Sequence, residues 1–194
     1  MIGRVTGRLL LKQPPLLLLD VNGVGYEIEA PMSTFYKLPA VGETLTLHTH
    51  LTVREDAHLL FGFGSAQEKA LFRELIKVSG VGPKLALTVL SGGSVEDFWA
   101  TVRAGDIPRL TKLPGVGRKT AERLVVEMRD KAGGELEASV SLSAPAGSPL
   151  QEARSALAAL GYKPAEIQRY TETVHKEGMS TEQIIQEALR RAVR

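Results

Sequence analysis

Cysteine is absent from the 194-residue sequence, which excludes disulfide bonds, thiol catalysis, zinc–thiolate sites and iron–sulfur clusters. Long hydrophobic runs are also missing, because Lys12, Gln13 and the Pro14–Pro15 pair interrupt the apolar N-terminal stretch. We therefore predict neither a signal peptide nor a membrane-spanning helix, and we expect a soluble cytoplasmic protein.

A large excess of charge of one sign is missing too, since 24 Lys and Arg residues face 22 Asp and Glu residues, for a formal net charge of +2. This balance permits a nucleic-acid partner without indicating one, because any basic surface must be local. Hydrophobic residues make up 43% of the sequence, so the chain can bury a sizeable core.

The first third of the sequence has the pattern of short β-strands. Apolar runs cover Ile2–Leu11, Leu16–Val21 and Ala57–Phe63, and Thr44–Val53 alternates between apolar and polar residues. Asn22-Gly23 lies between two apolar stretches and suits a tight hairpin turn with positive φ. Several short strands with glycine and proline turns predict a small closed barrel of the OB type.

Helical periodicity replaces this pattern after residue 64. Three helix starts are indicated by Ser65 with Glu68, Ser94 with Asp97, and Asp106, because these residue types cap helix N-termini. Two apolar stripes at helical spacing are formed by Leu71, Phe72, Leu75 and Ile76, and by Ala121, Leu124, Val125 and Met128.

The last segment is predicted to hold three short helices. Ser148-Pro149-Leu150-Gln151 has the spacing of a capping box with proline at the first helical position. The later boundaries are indicated by Gly161, Pro164, Gly178 and the Ser180–Gln183 pair.

A nine-residue motif occurs twice: Val78–Ala86 aligns with Leu113–Ala121. Both copies read apolar, small or proline, Gly, Val, Gly, any residue, Lys, and both lie between helices. Two glycines around a buried valine form a tight hairpin, and the free N–H groups of the following helix favour an anion. Lys84 and Lys119 add charge in the first turn of those helices, and Arg118 and Arg123 strengthen the second copy. We expect a phosphodiester ligand that is bound without reading bases.

Two other interpretations of the repeat are weighed against this one. The simpler interpretation is a pair of helix corners with glycine caps and no ligand. A nucleotide-binding loop at Gly115–Thr120 is rejected, because Arg118 separates the glycine from the lysine and no strand precedes the loop.

The sequence resembles the RuvA family, the Holliday-junction-binding subunit of the bacterial branch-migration complex, over nearly its whole length. The resemblance rests on MIGRxxG at the start, KQPPLLLLDVNGVGYE, HLTVREDAHLLFGF, RELIKVSGVGPKLAL, KLPGVGRKTAERLVVEM and ALGYKPAE. It implies a multidomain α+β protein: an OB-type barrel over residues 1–64 that forms a tetramer, a tandem helix-hairpin-helix DNA-binding domain over 65–131, a flexible linker over 132–148, and a three-helix bundle over 149–194.

The resemblance also implies a role in homologous recombination and DNA repair. Four-way junctions would be bound without sequence preference in an open planar form, by a homotetramer or by an octamer on DNA. The DNA-binding positions carried over are Gly80, Val81, Gly82, Lys84, Gly115, Val116, Gly117, Arg118, Lys119, Arg123 and Arg54. Glu55 and Asp56 match the family's acidic pin, although alone this pair is typical of a solvated hairpin tip.

The implied protein partners are a RuvB-type hexameric ATPase, which hydrolyses the ATP, and a RuvC-type junction resolvase. Motor-binding positions carried over are Leu157, Leu160, Tyr162 and Leu189, which could equally be core residues of a small bundle. We expect no catalytic residue, cofactor or metal, since His48 and His50 have no third ligand at a recognisable spacing.

Two other functions were considered. A glycosylase or structure-specific nuclease also uses such hairpins, but clustered carboxylates for two-metal chemistry are missing from the sequence. A single-strand binder of the OB type would use exposed aromatic residues, for which the candidates are Phe35, Tyr36, Phe61 and Phe63.

Overall fold

The computed structural model describes residues 1–129, 148–175 and 178–192. The chain divides into two compact units, Met1–Leu136 and Glu137–Arg194. The linker predicted over residues 132–148 lies, except for its last residue, outside the described residues.

The predicted barrel is confirmed: five strands close in the order β1-β2-β3-β5-β4. The strands are β1 (Arg4–Gln13), β2 (Leu16–Val21), β3 (Val24–Glu29), β4 (Thr44–Val53) and β5 (His58–Phe63), with the short helix α1 (Met32–Phe35) between β3 and β4. Every neighbouring pair is antiparallel except β3 and β5, which meet in parallel at Glu29 and Phe61.

Alternation along the strands fills the barrel with aliphatic side chains. Leu9, Leu17, Leu19 and Ile28 have no exposed surface and form its centre. The Asn22-Gly23 turn has φ of 53° and 89°, the conformation predicted for a tight hairpin. β1 starts two residues later than predicted, and its pairing with β2 shifts register between Leu9 and Leu11.

Five further helices follow among the described residues of the first unit: α2 (Ala66–Leu75), α3 (Pro83–Ser91), α4 (Val95–Ala104), α5 (Ile107–Leu110) and α6 (Arg118–Arg129). The predicted N-caps hold: the Ser65 hydroxyl accepts a hydrogen bond from the Glu68 amide at 3.1 Å, and Ser94 and Asp97 form a complete capping box. Asp106 accepts from the Arg109 amide at 3.0 Å.

Glu68 departs from the predicted capping box. Its side chain is buried, and the carboxylate accepts hydrogen bonds from the Gly64 amide at 3.0 Å and the Thr34 hydroxyl at 3.1 Å. The carboxylate thus joins α1, the end of β5 and α2, because helix α1 places a second donor within its reach.

The barrel and the helices share side chains across the predicted boundary at residue 64. Phe61 and Phe63 on β5 pack against Phe72 on α2, with ring centroids 5.1 and 4.9 Å apart. The change from strand to helix therefore occurs inside one core.

In the second unit, the ranges 148–175 and 178–192 contain three helices, α7 (Pro149–Ala159), α8 (Pro164–Val174) and α9 (Thr181–Ala192). Their core consists of Ala153, Leu157, Ile167, Val174, Ile184 and Ala188. In a reciprocal capping box before α9, the Ser180 amide donates to the Gln183 side chain at 3.0 Å and the Gln183 amide donates to the Ser180 hydroxyl at 3.3 Å.

Two predictions for this unit are wrong in detail. The capping box at Ser148 is replaced by a backbone bond, since the Gln151 amide donates to the Ser148 carbonyl at 2.7 Å. Helix α8 ends at Val174 rather than near Gly178, because His175 already has extended backbone angles. Within the described ranges, no helix is long and apolar enough to cross a membrane.

Candidate nucleic-acid interface

The first copy of the repeated motif forms a hairpin between α2 and α3. Gly80 has φ of +85°, a conformation that glycine adopts without steric cost. Val81 is 5% exposed, and its amide donates to the Val78 carbonyl at 3.0 Å. Gly82 then caps α3 with an extended backbone, so the valine anchors the hairpin and the glycines remain on the outside.

The second copy has the same geometry between α5 and α6. Gly115 has φ of +78°, Val116 is 4% exposed, and the Val116 amide donates to the Leu113 carbonyl at 3.0 Å. The duplication seen in the sequence is therefore a duplication in three dimensions.

The surface above both helix starts is open. A Cβ atom built on Gly82 or on Gly117 would meet no heavy atom within 4 Å. The first amides of α3 and α6 lack intrahelical acceptors, and the helix dipole adds positive potential there. Each hairpin can therefore admit a phosphate group close to its backbone.

Basic side chains surround these two helix starts. Lys84 and Lys119 are exposed, and their side-chain ammonium groups make no hydrogen bond or ion pair with any other residue that the structure describes. Arg118 is paired with Glu122 at 3.0 Å, but its side chain is 85% exposed. Such a pair contributes little free energy, so the guanidinium can exchange its carboxylate for a phosphate.

Arg123, predicted as a phosphate contact, reaches the other hairpin. Its Nη1 donates to the Ser79 carbonyl at 2.8 Å and to the Ser79 hydroxyl at 3.1 Å. In the opposite direction, Leu85 of α3 lies at the second hairpin, with its Cδ1 3.3 Å from where a Cβ of Gly115 would stand. These two contacts hold the hairpins at a fixed spacing, a relationship that the sequence analysis missed.

The predicted acidic pin occupies the turn between β4 and β5. The Arg54 amide donates to the Ala57 carbonyl at 2.8 Å, which closes a tight turn around Glu55 and Asp56. Both carboxylates are exposed and make no hydrogen bond or ion pair with a described residue. The turn therefore presents two uncompensated negative charges at the end of the barrel.

Comparison with known proteins covers almost the whole chain. The RuvA N terminal domain matches residues 1–62, the SAM-like helix-hairpin-helix tandem matches residues 72–130, and the RuvA C-terminal domain matches residues 148–193. A relative from Thioalkalivibrio sulfidiphilus is 57% identical over 98% of each chain, and one from Aeromonas salmonicida is 52% identical over all of each chain. A third, from Pseudomonas paraeruginosa, is 54% identical over 98% of each chain.

All three relatives are named Holliday junction branch migration complex subunit RuvA. The chain belongs to the RuvA family. The three matched segments correspond to the barrel, the paired hairpins and the second unit.

The four motor-binding positions that the resemblance implies differ in exposure. Leu157 is 1% exposed and belongs to the bundle core, whereas Leu160 is 62% exposed. Tyr162 and Leu189 are partly buried against that core, and the Tyr162 ring meets the edge of Tyr170. Leu160 is therefore the position in this set with the most apolar surface open to a partner.

Most of the aromatic residues considered for DNA stacking lie in the protein core. Phe35, Phe61 and Phe63 are buried, so Tyr36, which is 78% exposed, is left of the four aromatic residues considered for base stacking. Trp99 lies in the core. Among the described residues, no group of three or more His, Cys, Asp or Glu side chains is arranged to hold a metal ion.

Proposed function

We propose that this protein binds four-way DNA junctions without sequence preference, holds them open and planar, and recruits a separate ATP-driven motor for branch migration. The observation that carries the proposal is the pair of equivalent hairpins with open backbone above both helix starts. The relatives' printed name, a subunit of a Holliday junction branch migration complex, supports it.

DNA binding would depend on the backbone phosphates. The amides at the starts of α3 and α6 would donate to phosphate oxygens, and Lys84, Lys119 and Arg118 would neutralise charge beside them. Such contacts fix the position of a duplex without reading its bases, so one site can serve any arm of any junction. Arg54, next to the acidic turn, is a further candidate for a phosphate contact.

Preference for a junction would come from the acidic turn. Charges closer than the Debye length of about 8–10 Å repel with little screening, so Glu55 and Asp56 keep phosphates away from their surroundings. In a homotetramer, four copies of the turn would surround the crossover point. Continuous duplex would then be disfavoured against four separated arms, because only the junction leaves its centre free of backbone.

The parts of the chain would divide this work. The barrel over residues 1–64 would form the tetramer and supply the pin, residues 65–131 would bind DNA, and residues 149–194 would bind the motor. A RuvB-type hexameric ATPase is the proposed motor, and it would hydrolyse the ATP while this protein remains non-catalytic. A RuvC-type resolvase is a further proposed partner on the same junction.

A competition titration tests this function. A labelled fixed four-way junction is titrated with the protein at moderate salt, with unlabelled junction, linear duplex or single strand as competitor. We expect junction to compete best and the DNA to remain uncut. Cutting by the pure protein would indicate the nuclease or glycosylase alternative, and best competition by single strand would indicate the single-strand binder.

A further inference from the structure

Three basic residues meet on the outer face of the barrel, outside the two copies of the repeated motif. Phe72 of α2 packs on the barrel, and the edge-on His50 ring of β4 lies 5.6 Å from its centroid. Lys69 and Arg73 flank Phe72 on the same face of α2, four residues and about 6 Å apart along the helix axis. The packing of Phe72 therefore places both cations beside His50.

The positive charge of this cluster is not compensated. Lys69 donates to the Gly3 carbonyl at 3.0 Å, a neutral acceptor, and Arg73 is exposed without a hydrogen bond or ion pair to a described residue. Burial, Arg73 and Lys69 all lower the pKa of His50, and burial and Arg73 lower the pKa of Lys69. An anion beside the cluster would be attracted by Lys69 and Arg73 and would favour the protonated form of His50.

The surface extends along the neighbouring strand. Arg4 on β1 is paired in register with His48 on β4, two residues from His50 on the same side of the sheet. The cluster of His50, Lys69 and Arg73, called the α2 basic cluster below, therefore continues onto the barrel.

We propose that the α2 basic cluster is a further phosphate-binding site for the DNA backbone, in addition to the two hairpins. The proposal rests on the proposed junction binding and adds a contact to it. A single phosphate fits the chemistry: a guanidinium and an ammonium one helical turn apart, with an imidazole that gains a proton when an anion arrives.

DNA is favoured over an acidic protein surface by the continuity of α2. The helix ends at Leu75, and the first hairpin begins four residues later at Ser79. One rigid element therefore carries the cluster and leads into a hairpin whose backbone is open to phosphate. A duplex held at the hairpin can continue along the helix to the cluster.

The test is the salt dependence of junction binding by the full-length protein. Each phosphate contact contributes about −0.9 to the slope of the logarithm of the binding constant against the logarithm of salt concentration. Because the two cations would share one phosphate, we expect Lys69→Gln/Arg73→Gln to make the slope shallower by about 0.9 for each copy of the cluster that contacts the junction, and to weaken binding at low salt. Lys69→Arg/Arg73→Lys, which keeps both charges, should restore the slope to near that of the parent.

Matched controls separate the possible failures. Lys163→Gln/Arg191→Gln removes the same charge from exposed positions of the second unit and should leave the slope unchanged. Arg73→Gln alone removes an exposed guanidinium that has no ionic partner among the described residues, and it serves if the double variant unfolds. It should make the slope shallower by up to about 0.9 for each copy that contacts the junction. If the parent protein prefers junctions but neither Arg73→Gln nor the folded double variant changes the slope, the α2 basic cluster is not a phosphate-binding site.

Two further readouts complete the design. If the parent protein itself shows no preference for junctions, the proposed function is wrong, and the result does not test the α2 basic cluster. Sedimentation without DNA tests the other occupant, the acidic surface of a second copy. A smaller assembly for Lys69→Gln/Arg73→Gln would overturn the assignment to DNA, whereas an unchanged sedimentation coefficient with a shallower slope supports it.

Discussion

Arg123 of α6 is hydrogen-bonded through Nη1 to the carbonyl and the hydroxyl of Ser79, three residues before the N-cap glycine of the first hairpin's helix. The two residues are 44 positions apart in the sequence. A side chain from the second copy of the motif therefore positions the first copy. Both hairpins then act as one rigid binding surface, which binding to a duplex of fixed geometry requires.

Arg123→Met is expected to weaken junction binding without changing its salt dependence, because the residue positions a hairpin and its charge is engaged with Ser79. The free energy of unfolding should fall by about 1 kcal/mol, since one charge-assisted hydrogen-bond pair at a half-buried position is lost. Urea unfolding and anisotropy titrations at several salt concentrations measure both effects. Lys119→Met is the control: stability should be unchanged and the slope shallower by about 0.9 for each copy that contacts the junction. The same slope change in Arg123→Met would assign Arg123 to a phosphate instead.

The glycines of the hairpins separate stability from binding. Gly82→Ala adds a methyl group in open space, so the folded state should be unaffected while the methyl blocks the approach of a phosphate. Gly115→Ala forces alanine to φ of +78° and should destabilise the protein by about 1–2 kcal/mol. Thermal unfolding and junction titration of the two variants check the contrast. Full junction affinity in Gly82→Ala would contradict the backbone-contact mechanism.

The acidic turn is tested with isosteric amides. Glu55→Gln/Asp56→Asn should bind linear duplex more tightly and prefer junctions less, because phosphates are no longer repelled from the turn. Stability should not change, since both carboxylates are exposed and unpartnered among the described residues. Glu27→Gln/Glu96→Gln, which removes two exposed carboxylates elsewhere in the first unit, controls for net charge. If Glu55→Gln/Asp56→Asn prefers junctions over linear duplex as strongly as the parent does, the acidic turn does not produce that preference.

A pH dependence follows from the lowered pKa of His50. In the free protein His50 loses its proton below the ordinary value of 6.5, because of burial and of Arg73 and Lys69. A bound phosphate would favour the protonated ring, so junction affinity should increase as the pH falls from about 7.5 towards 6. The groups that surround His50 are Lys69 and Arg73 on α2, His48 on its own strand, Arg4 on β1 and the apolar Phe61 on β5.

The same shift has the opposite effect on stability. The unfolded chain binds more protons at this position between the lowered pKa and 6.5, so the contribution of His50 to stability decreases as the pH falls through that window. His50→Gln should remove both pH effects. Titrations and urea unfolding of parent and variant across this range measure them, and an identical pH profile for junction binding would count against His50 as part of the α2 basic cluster.

The motor-binding proposal has a paired test in the second unit. Leu160→Ser changes an exposed side chain and should abolish binding of the RuvB-type ATPase without loss of stability. Leu157→Ala empties a core position and should cost about 2–5 kcal/mol of unfolding free energy. Co-sedimentation with the ATPase and thermal unfolding separate the two. Retained ATPase binding in Leu160→Ser would place the contact elsewhere.

The local features of the fold were predictable because single residues dictate them. Positive φ at Gly80 and Gly115, the Asn22-Gly23 turn and the caps at Ser94 and Ser180 each depend on neighbours within a few positions. Strand alternation and the buried valines of the hairpins likewise follow from short patterns.

Contacts between distant segments were not predictable in the same way. Glu68 lies in a sequence with capping-box spacing, but its carboxylate bonds to Thr34, 34 residues away. Arg123 follows the second motif in the sequence, but its side chain is hydrogen-bonded to Ser79 of the first motif. Leu157 and Leu160 are equally apolar, and only the packed bundle distinguishes the core position from the exposed one.

We propose above that the protein holds a junction with four equivalent, separated arms. Energy transfer between dyes placed on pairs of arm ends of a fixed junction, at saturating protein, measures this geometry most directly. We expect the four adjacent pairs of arms to become equidistant and the two diagonal pairs to become equal and longer. Unequal adjacent distances, as in a junction whose arms remain stacked in pairs, would contradict it.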